Sequence, residues 1–331
     1  MKFLIVGCGS IGRRHIRNLQ GLGGHEIVAC DTDQERLGKI AKELGVRTSR
    51  DYQKTLEEGN FEAVFICTPN DSHVTLALEA ARRGFHLFIE KPLSHNLEGV
   101  DELIERVELK SLTALVGCNL RFHPSLVLIK KFLEEGKIGK ILFARIEFGY
   151  DLSSWHPAED YRKSYSASRK RGGGVVLDAI HELDYARWFF GPLSLVSAHL
   201  DKISRLEIET EDTAEILLRT DFNALVSIHL DYLQRDYHRS CLIVGDEGTL
   251  RWRLKDQQVE LGPARTQTRE IFEEPKGYEL NTMYVREMEH FMDCLKGKTE
   301  PAQDLQSARQ VLEMACKAKE AYDLSHHSSK I

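Results

Sequence analysis

No apolar run in this 331-residue chain approaches the ~20 residues needed to cross a bilayer, which excludes a helical membrane span. There is no extended basic stripe, and the net charge is −6, so nucleic acid is not expected as the main partner. The N-terminus enters a strand at once rather than a charged and then apolar leader, so the expected compartment is the cytoplasm. Seven cysteines, Cys8, Cys30, Cys67, Cys118, Cys241, Cys294 and Cys316, are odd in number and scattered, and no two stand at Cys-x-x-Cys spacing. That predicts neither a disulfide framework nor a zinc site. Several fall inside apolar strands, where cysteine serves as a small hydrophobe. The fourteen histidines show no His-Glu-x-x-His or similar pattern, and no metal is expected. Internal repeats and low-complexity linkers are absent too.

What the chain does have stands at its start. Residues 2 to 6 form an apolar strand that runs into Gly7-Cys-Gly-Ser-Ile-Gly12. In this spacing Gly7 permits the tight turn, Gly9 lets backbone N–H groups approach a pyrophosphate, and Gly12 lets the next helix pack closely. The helix N-terminus, at Ser10 and Ile11, favours the anionic charge. A second strand, Glu26-Ile-Val-Ala-Cys30, ends at Asp31, about twenty residues on, where an acid hydrogen-bonds a ribose 2′-hydroxyl. A carboxylate there repels a 2′-phosphate, so NAD is favoured over NADP. Arg36 lies a helical turn further and is discounted as a phosphate ligand.

A chain of this length exceeds a single growing core, so two domains are expected, residues 1–120 and 121–331. Up to residue 120, apolar strands (2–6, 26–30, near Val46, 61–67, 85–90 and 113–118) alternate with helical patterns (33–44, 71–83, 96–109). This is a doubly wound parallel sheet, an α/β Rossmann domain. After residue 140 the period becomes two. Ala224, Val226, Ile228 and Leu230 share one strand face, with Ser227, His229 and Asp231 on the other. Residues 141–148, 194–201, 212–219 and 239–253 are strand-like as well, which predicts an α+β domain with an antiparallel sheet, one face covered and the other open. Two closing helices are expected near 283–295 and 304–322, followed by a frayed tail from Ser325.

Two segments carry candidate chemistry. Glu90-Lys91-Pro92 follows a strand, at the sheet edge where doubly wound folds bind ligands, and Pro92 restrains the backbone of Lys91. The second segment runs from Arg171-Gly-Gly-Gly174 to Asp184. A helix over 175–189 sets Asp178 and His181 on one face at i,i+3, where a carboxylate orients an imidazole and raises its basicity.

The turn Gly7–Gly12, the loop Cys67-Thr-Pro-Asn-Asp-Ser-His73, Glu90-Lys91-Pro92, Asn119-Leu-Arg-Phe-His-Pro124 and the Gly172–Asp184 segment together resemble the Gfo/Idh/MocA oxidoreductases from end to end. The resemblance implies that Lys91 anchors the reacting hydroxyl near the nicotinamide, that His181 accepts the proton, and that Asp178 supports both. It places Thr68, Pro69, Asn70 and His73 along the cofactor, Glu90 near the nicotinamide ribose, and Asn119 and Arg121 beside that site. The usual family spacing sets the aspartate four residues before the histidine, whereas here it is three. Asp184 or Glu182 is therefore an alternative orienting carboxylate.

These readings predict reversible oxidation of a secondary alcohol to a ketone on a sugar, polyol or sugar derivative. Trp155-His-Pro-Ala-Glu-Asp-Tyr161-Arg162-Lys-Ser-Tyr165-Ser-Ala supplies candidate substrate contacts, and Arg169-Lys-Arg171 favours an anionic sugar if it faces the cleft. The same stretch is similar to relatives in bacterial surface-sugar biosynthesis. The alternative is a silent NAD- and sugar-binding sensor, against which Lys91 and His181 argue. The family likeness also implies a homodimer or homotetramer joined through the open sheet face. Whether NAD is released or recycled in place stays open.

Overall fold

In the computed structural model, which describes residues 1–155, 160–264 and 268–328, strands and helices alternate from the first residues. They are β1 (Lys2–Val6), α1 (Ser10–Leu22), β2 (Glu26–Cys30), α2 (Gln34–Leu44), β3 (Arg47–Ser49), α3 (Tyr52–Glu58), β4 (Ala63–Ile66), α4 (His73–Arg83), β5 (His86–Glu90), α5 (Val100–Leu109) and β6 (Ala114–Gly117). The six strands pair in parallel in the order β3-β2-β1-β4-β5-β6. Phe3 to Val6 and Ala63 to Ile66 are buried throughout, as a sheet covered on both faces requires. Asp33 caps α2 by accepting the N–H groups of Glu35 and Arg36, and Gly45 ends that helix in the left-handed region. The strand order reverses between β1 and β4, so the loops leaving β1, β4 and β5 border one crevice at the carboxyl ends of the strands.

The chain then forms α6 (Pro124–Glu134), β7 (Ile141–Gly149), α7 (Val175–Asp178), α8 (Ile180–Phe190), β8 (Leu193–Asp201), β9 (Thr213–Thr220), β10 (Leu225–Asp231), β11 (His238–Gly245), β12 (Gly248–Arg253), β13 (Gln258–Pro263) and β14 (Glu270–Glu273). These eight strands make one sheet in the order β14-β13-β12-β11-β7-β10-β9-β8. Its pairings are antiparallel except β7 with β10, so the sheet is mixed, mostly antiparallel. Val226, Ile228 and Leu230 point into the core while Ser227 and His229 alternate outward. The strand expected over 239–253 is a hairpin, because Asp246 and Glu247 turn the chain between β11 and β12.

The end of the chain corrects the expected domain plan. Helix α9 (Asn281–Leu295) carries Met288, Phe291 and Met292 at i, i+3 and i+4, and this stripe joins the core of Phe3, Phe65 and Phe88. Phe291 meets the rings of Phe65 and Phe88 at centroid distances of 5.5 Å each. The first compact unit is therefore residues 1–119 with 280–310, and the second is 120–279 with the residues from 311 onward. Helix α10 (Leu305–Ser328) also runs past the point where a frayed tail was expected.

Candidate active site

The turn after β1 is shaped by its neighbours. Gly7 sits at φ +89°, and a Cβ there would lie 2.5 Å from the carbonyl oxygen of Cys67. A Cβ on Gly12 would lie 1.9 Å from the carbonyl oxygen of Gly7, so α1 packs against the turn only because residue 12 is glycine. A Cβ on Gly9 would meet no protein atom within 4 Å, which leaves its backbone bare where a pyrophosphate must approach. Ser10 is exposed and Ile11 half-buried at the opening of α1, whose first N–H groups take no side-chain cap. At the end of β2, Asp31 accepts the N–H of Cys8 at 2.7 Å and that of Asp33 at 2.9 Å. These residues fit a dinucleotide. Arg36, discounted from sequence, reaches Asp31 Oδ2 at 3.1 Å and so belongs to this corner.

Two further loops of the same unit border the crevice. After β4, the Thr68 hydroxyl accepts from Ser72, Pro69 is half-buried and Asn70 is buried. After β5, Glu90 is buried and Lys91 half-buried, and a cis peptide joins Lys91 to Pro92. Asn119 is buried just past β6. His73, expected along the cofactor, stands between these two loops. It is buried, and its Nδ1 lies 2.8 Å from the Pro92 carbonyl and its Nε2 2.8 Å from the Thr68 carbonyl, so the ring links two loops. Burial lowers its pKa. Sequence reading missed His15 of α1, also buried, whose Nε2 stands 2.5 Å from Glu90 Oε1.

In the second unit, the 175–189 helix is broken. Ala179, at φ −96° and ψ 31°, separates α7 from α8, so Asp178 and His181 flank a joint rather than share one helical face. Asp178 ends α7 and His181 is the second residue of α8, and both are buried. Tyr232 donates its hydroxyl to Asp178 Oδ2 at 2.5 Å. Burial, with the charge of Asp178 next, pushes the Tyr232 phenol well above its ordinary range and keeps it a donor. Nothing in the sequence pairs two residues 54 apart, so Tyr232 was not foreseen.

The alternative carboxylates are engaged elsewhere. Glu182 faces Arg239 Nε at 2.7 Å, and Asp184 takes a two-pronged bond from Arg121, Nε at 2.9 Å and Nη2 at 2.8 Å. Arg121, expected to touch substrate, is thus held in a buried ion pair. Its guanidinium also lies over the Trp188 ring. The glycine turn ahead of α7 is held by Glu211, which accepts the N–H of Val176, and by Lys319, which bonds both Glu211 oxygens at 2.8 Å and the Gly173 carbonyl at 3.1 Å. Neither Glu211 nor Lys319 carries a sequence signal.

The proposed substrate segment is partly reached. Trp155 donates to the Tyr150 carbonyl and stands edge-on to Tyr232 at 5.4 Å, so the structure brings Trp155, Tyr232 and Asp178 together. Tyr165 is half-buried. The Tyr161 hydroxyl accepts the N–H of Glu207, while Arg162 is exposed and paired with Asp160 at 2.8 Å. His156, Pro157, Ala158 and Glu159 lie outside the described residues. Among the described residues no cluster of potential metal ligands occurs, and no helix is long and apolar enough to cross a membrane.

Known proteins resemble this chain in sequence and fold. Residues 1–118 match the model of the Gfo/Idh/MocA oxidoreductase family, with its NAD-binding Rossmann fold, and residues 126–251 match the Gfo/Idh/MocA C-terminal domain. The scyllo-inositol 2-dehydrogenase (NAD(+)) of Bacillus subtilis strain 168 is 27% identical over 312 residues, 91% of this chain and 88% of that protein. A D-apiose dehydrogenase of Paraburkholderia graminis is 30% identical over 260 residues, 76% of this chain and 67% of its own length. Among solved structures, the WlbA dehydrogenase from Bordetella pertussis, in complex with NADH and UDP-GlcNAcA, is 26% identical. It aligns with a TM-score of 0.81 over 97% of this chain and 96% of that one.

Proposed function

Since the chain belongs to the Gfo/Idh/MocA family of NAD-binding oxidoreductases, we propose that it interconverts a secondary alcohol and a ketone on a sugar, polyol or sugar derivative with NAD. The observation that carries this reading is Lys91, set at the carboxyl edge of the NAD-binding sheet with a buried carboxylate before it and a fixed proline after it. Gly7, Gly9, Gly12, Ser10 and Ile11 seat the pyrophosphate, and Asp31 takes the adenosine ribose. Thr68, Pro69, Asn70, Glu90 and Asn119 belong to the nicotinamide half. Bound NAD supplies a hydride acceptor. As the carbinol carbon loses hydride, His181 takes the hydroxyl proton and the Lys91 ammonium holds the oxygen on which charge gathers. Asp178, kept in place by Tyr232, orients His181.

The finer reading is an anionic, nucleotide-linked sugar. It is supported by the UDP-GlcNAcA complex of the Bordetella relative and by exposed Arg169 and Lys170 beside the aromatic segment Trp155–Tyr165. Seven free thiols and an NAD-linked reaction fit the reducing cytoplasm. Association of copies through the outer sheet face is supported by Phe143, 43% exposed there, with Leu225 and Leu242 half-buried beside it.

The test is absorbance at the reduced-nicotinamide band as protein and NAD meet sugars, polyols, sugar acids and UDP-linked uronic acids. Turnover that drops ~10²- to 10⁴-fold in His181→Ala and in Lys91→Ala, with NAD affinity kept, establishes the dehydrogenase and names its substrate class. Tight NAD binding with no reduction across the panel points instead to a sensor.

A further inference from the structure

We propose that His15 and His73 are positioning residues for Lys91, a buried brace that ties the two dinucleotide loops to the lysine from both sides. The inference rests on the reading of Lys91 as catalytic.

Lys91 has a pinned neighbour on each flank. On one side, His15 Nε2 holds Glu90 Oε1 at 2.5 Å, while Glu90 Oε2 accepts the backbone N–H of Lys91 itself at 3.3 Å. His15 is fully buried and packs edge-on to Phe88 at 5.1 Å, and its Nδ1 makes no hydrogen bond. Among the described residues, Glu90 is therefore its one hydrogen-bond partner. On the other side, His73 reaches the Pro92 carbonyl through Nδ1 and the Thr68 carbonyl through Nε2. Both acceptors are carbonyls, so at least one contact is a donated N–H in either protonation state.

The two histidines come from the elements that seat the cofactor. His15 lies three residues past Gly12 in the helix opened by the pyrophosphate turn, and His73 opens α4 directly after the Thr68–Ser72 loop. A leucine would fill either space without a polar atom to satisfy. An imidazole in a dry site costs stability unless it is bonded, so its presence specifies a direction rather than a volume. The direction matters because a displacement of about 1 Å at a reacting group costs on the order of 10²-fold in rate. Neither ring needs to touch substrate or NAD to act.

The experiment uses the full chain with four variants, each also made with Lys91→Ala. His15→Leu and His73→Leu remove the brace. His73→Asn keeps a donor near the Nδ1 position, toward Pro92, whereas His73→Gln keeps one near the Nε2 position, toward Thr68. Three readouts are taken: NADH affinity by fluorescence, turnover of the panel sugar, and the ¹³C-methyl resonance of reductively methylated Lys91, assigned by its loss in Lys91→Arg. Both leucine variants are expected to displace the Lys91 resonance and lower kcat at least tenfold, with NADH affinity within about threefold. His73→Asn restores both better than His73→Gln, and in the Lys91→Ala background neither leucine substitution slows the residual single-turnover rate further. An unmoved Lys91 resonance in the leucine variants overturns the brace. So does a further tenfold loss on top of Lys91→Ala, which assigns the histidines a role of their own. Full turnover in Lys91→Ala alone overturns the catalytic reading of Lys91 and leaves nothing to brace.

Discussion

Glycines 9 and 12 sit three residues apart in one motif and do different work, and substitution separates them. A Cβ at Gly12 runs into the carbonyl of Gly7, backbone against backbone, with no flexible side chain to yield. Gly12→Ala is expected to lower the thermal midpoint and to weaken NAD binding at least tenfold, about 1.4 kcal/mol. At Gly9 a Cβ meets no protein atom. Gly9→Ala is expected to leave the midpoint unchanged while NAD affinity falls, because the methyl group occupies space only the pyrophosphate needs. Calorimetry with and without NAD distinguishes the two, and a Gly9→Ala protein that binds NAD normally refutes the assignment. This difference was legible in the motif. The fate of Arg121 was not: the sequence places it just past the sixth strand but says nothing of its partner Asp184, 63 residues away, which holds it in a buried two-pronged pair. Asp184→Ala strands a buried guanidinium and is expected to cost about 3–5 kcal/mol in denaturant unfolding, far more than loss of a surface pair.

Among the elements, α7 and α8 show where periodicity misleads. The run Val175–Phe190 is apolar and helical in pattern, and a helical wheel drawn over it puts Asp178 and His181 on one face. The break at Ala179 follows one short turn of helix after Gly172–Gly174, a turn anchored from outside that run, and local sequence carries no sign of it. Glu211 is buried and Lys319 partly exposed, and together they fix the turn. Lys319→Met leaves Glu211 without its cation and is expected to cost about 3 kcal/mol. Faster amide exchange confined to residues 172–182 would show that the loss is transmitted to the start of α8, whereas uniform exchange across the unit would not. Some of the elements overlooked in the sequence were short or weakly patterned. Strand β14 spans four residues with exposed ends, and α3 spans seven. Helix α6 hides behind a His-Pro pair that reads as a loop, although proline at the first helical position is favourable.

At the scale of the whole molecule, the parallel sheet and an antiparallel one followed from hydrophobic period, near-continuous in one and alternating in the other, while the parallel pairing of β7 with β10 did not. The unit boundary did not, because the Met288–Phe291–Met292 stripe matches any apolar surface and only packing shows which core receives it. The outer face of the mixed sheet bears a charge network with a global consequence. His229 bonds Asp231 at 3.0 Å and Glu215 at 2.7 Å, and these bonds, Asp231 foremost, raise its pKa to about 9 against partial burial. A raised pKa means that folding favours the protonated ring. The stability it brings is complete below pH 6.5, where the unfolded ring is charged too, and drains away as pH climbs through 9. The site is partly exposed, so solvent screening limits the effect to about 1 kcal/mol. Denaturant titrations at pH 6, 8 and 9.5 should show that decline in the native sequence and not in His229→Gln. If copies of the chain associate through this face, the network becomes drier and the decline steepens as protein concentration rises. A slope that is independent of concentration would place the partner surface elsewhere.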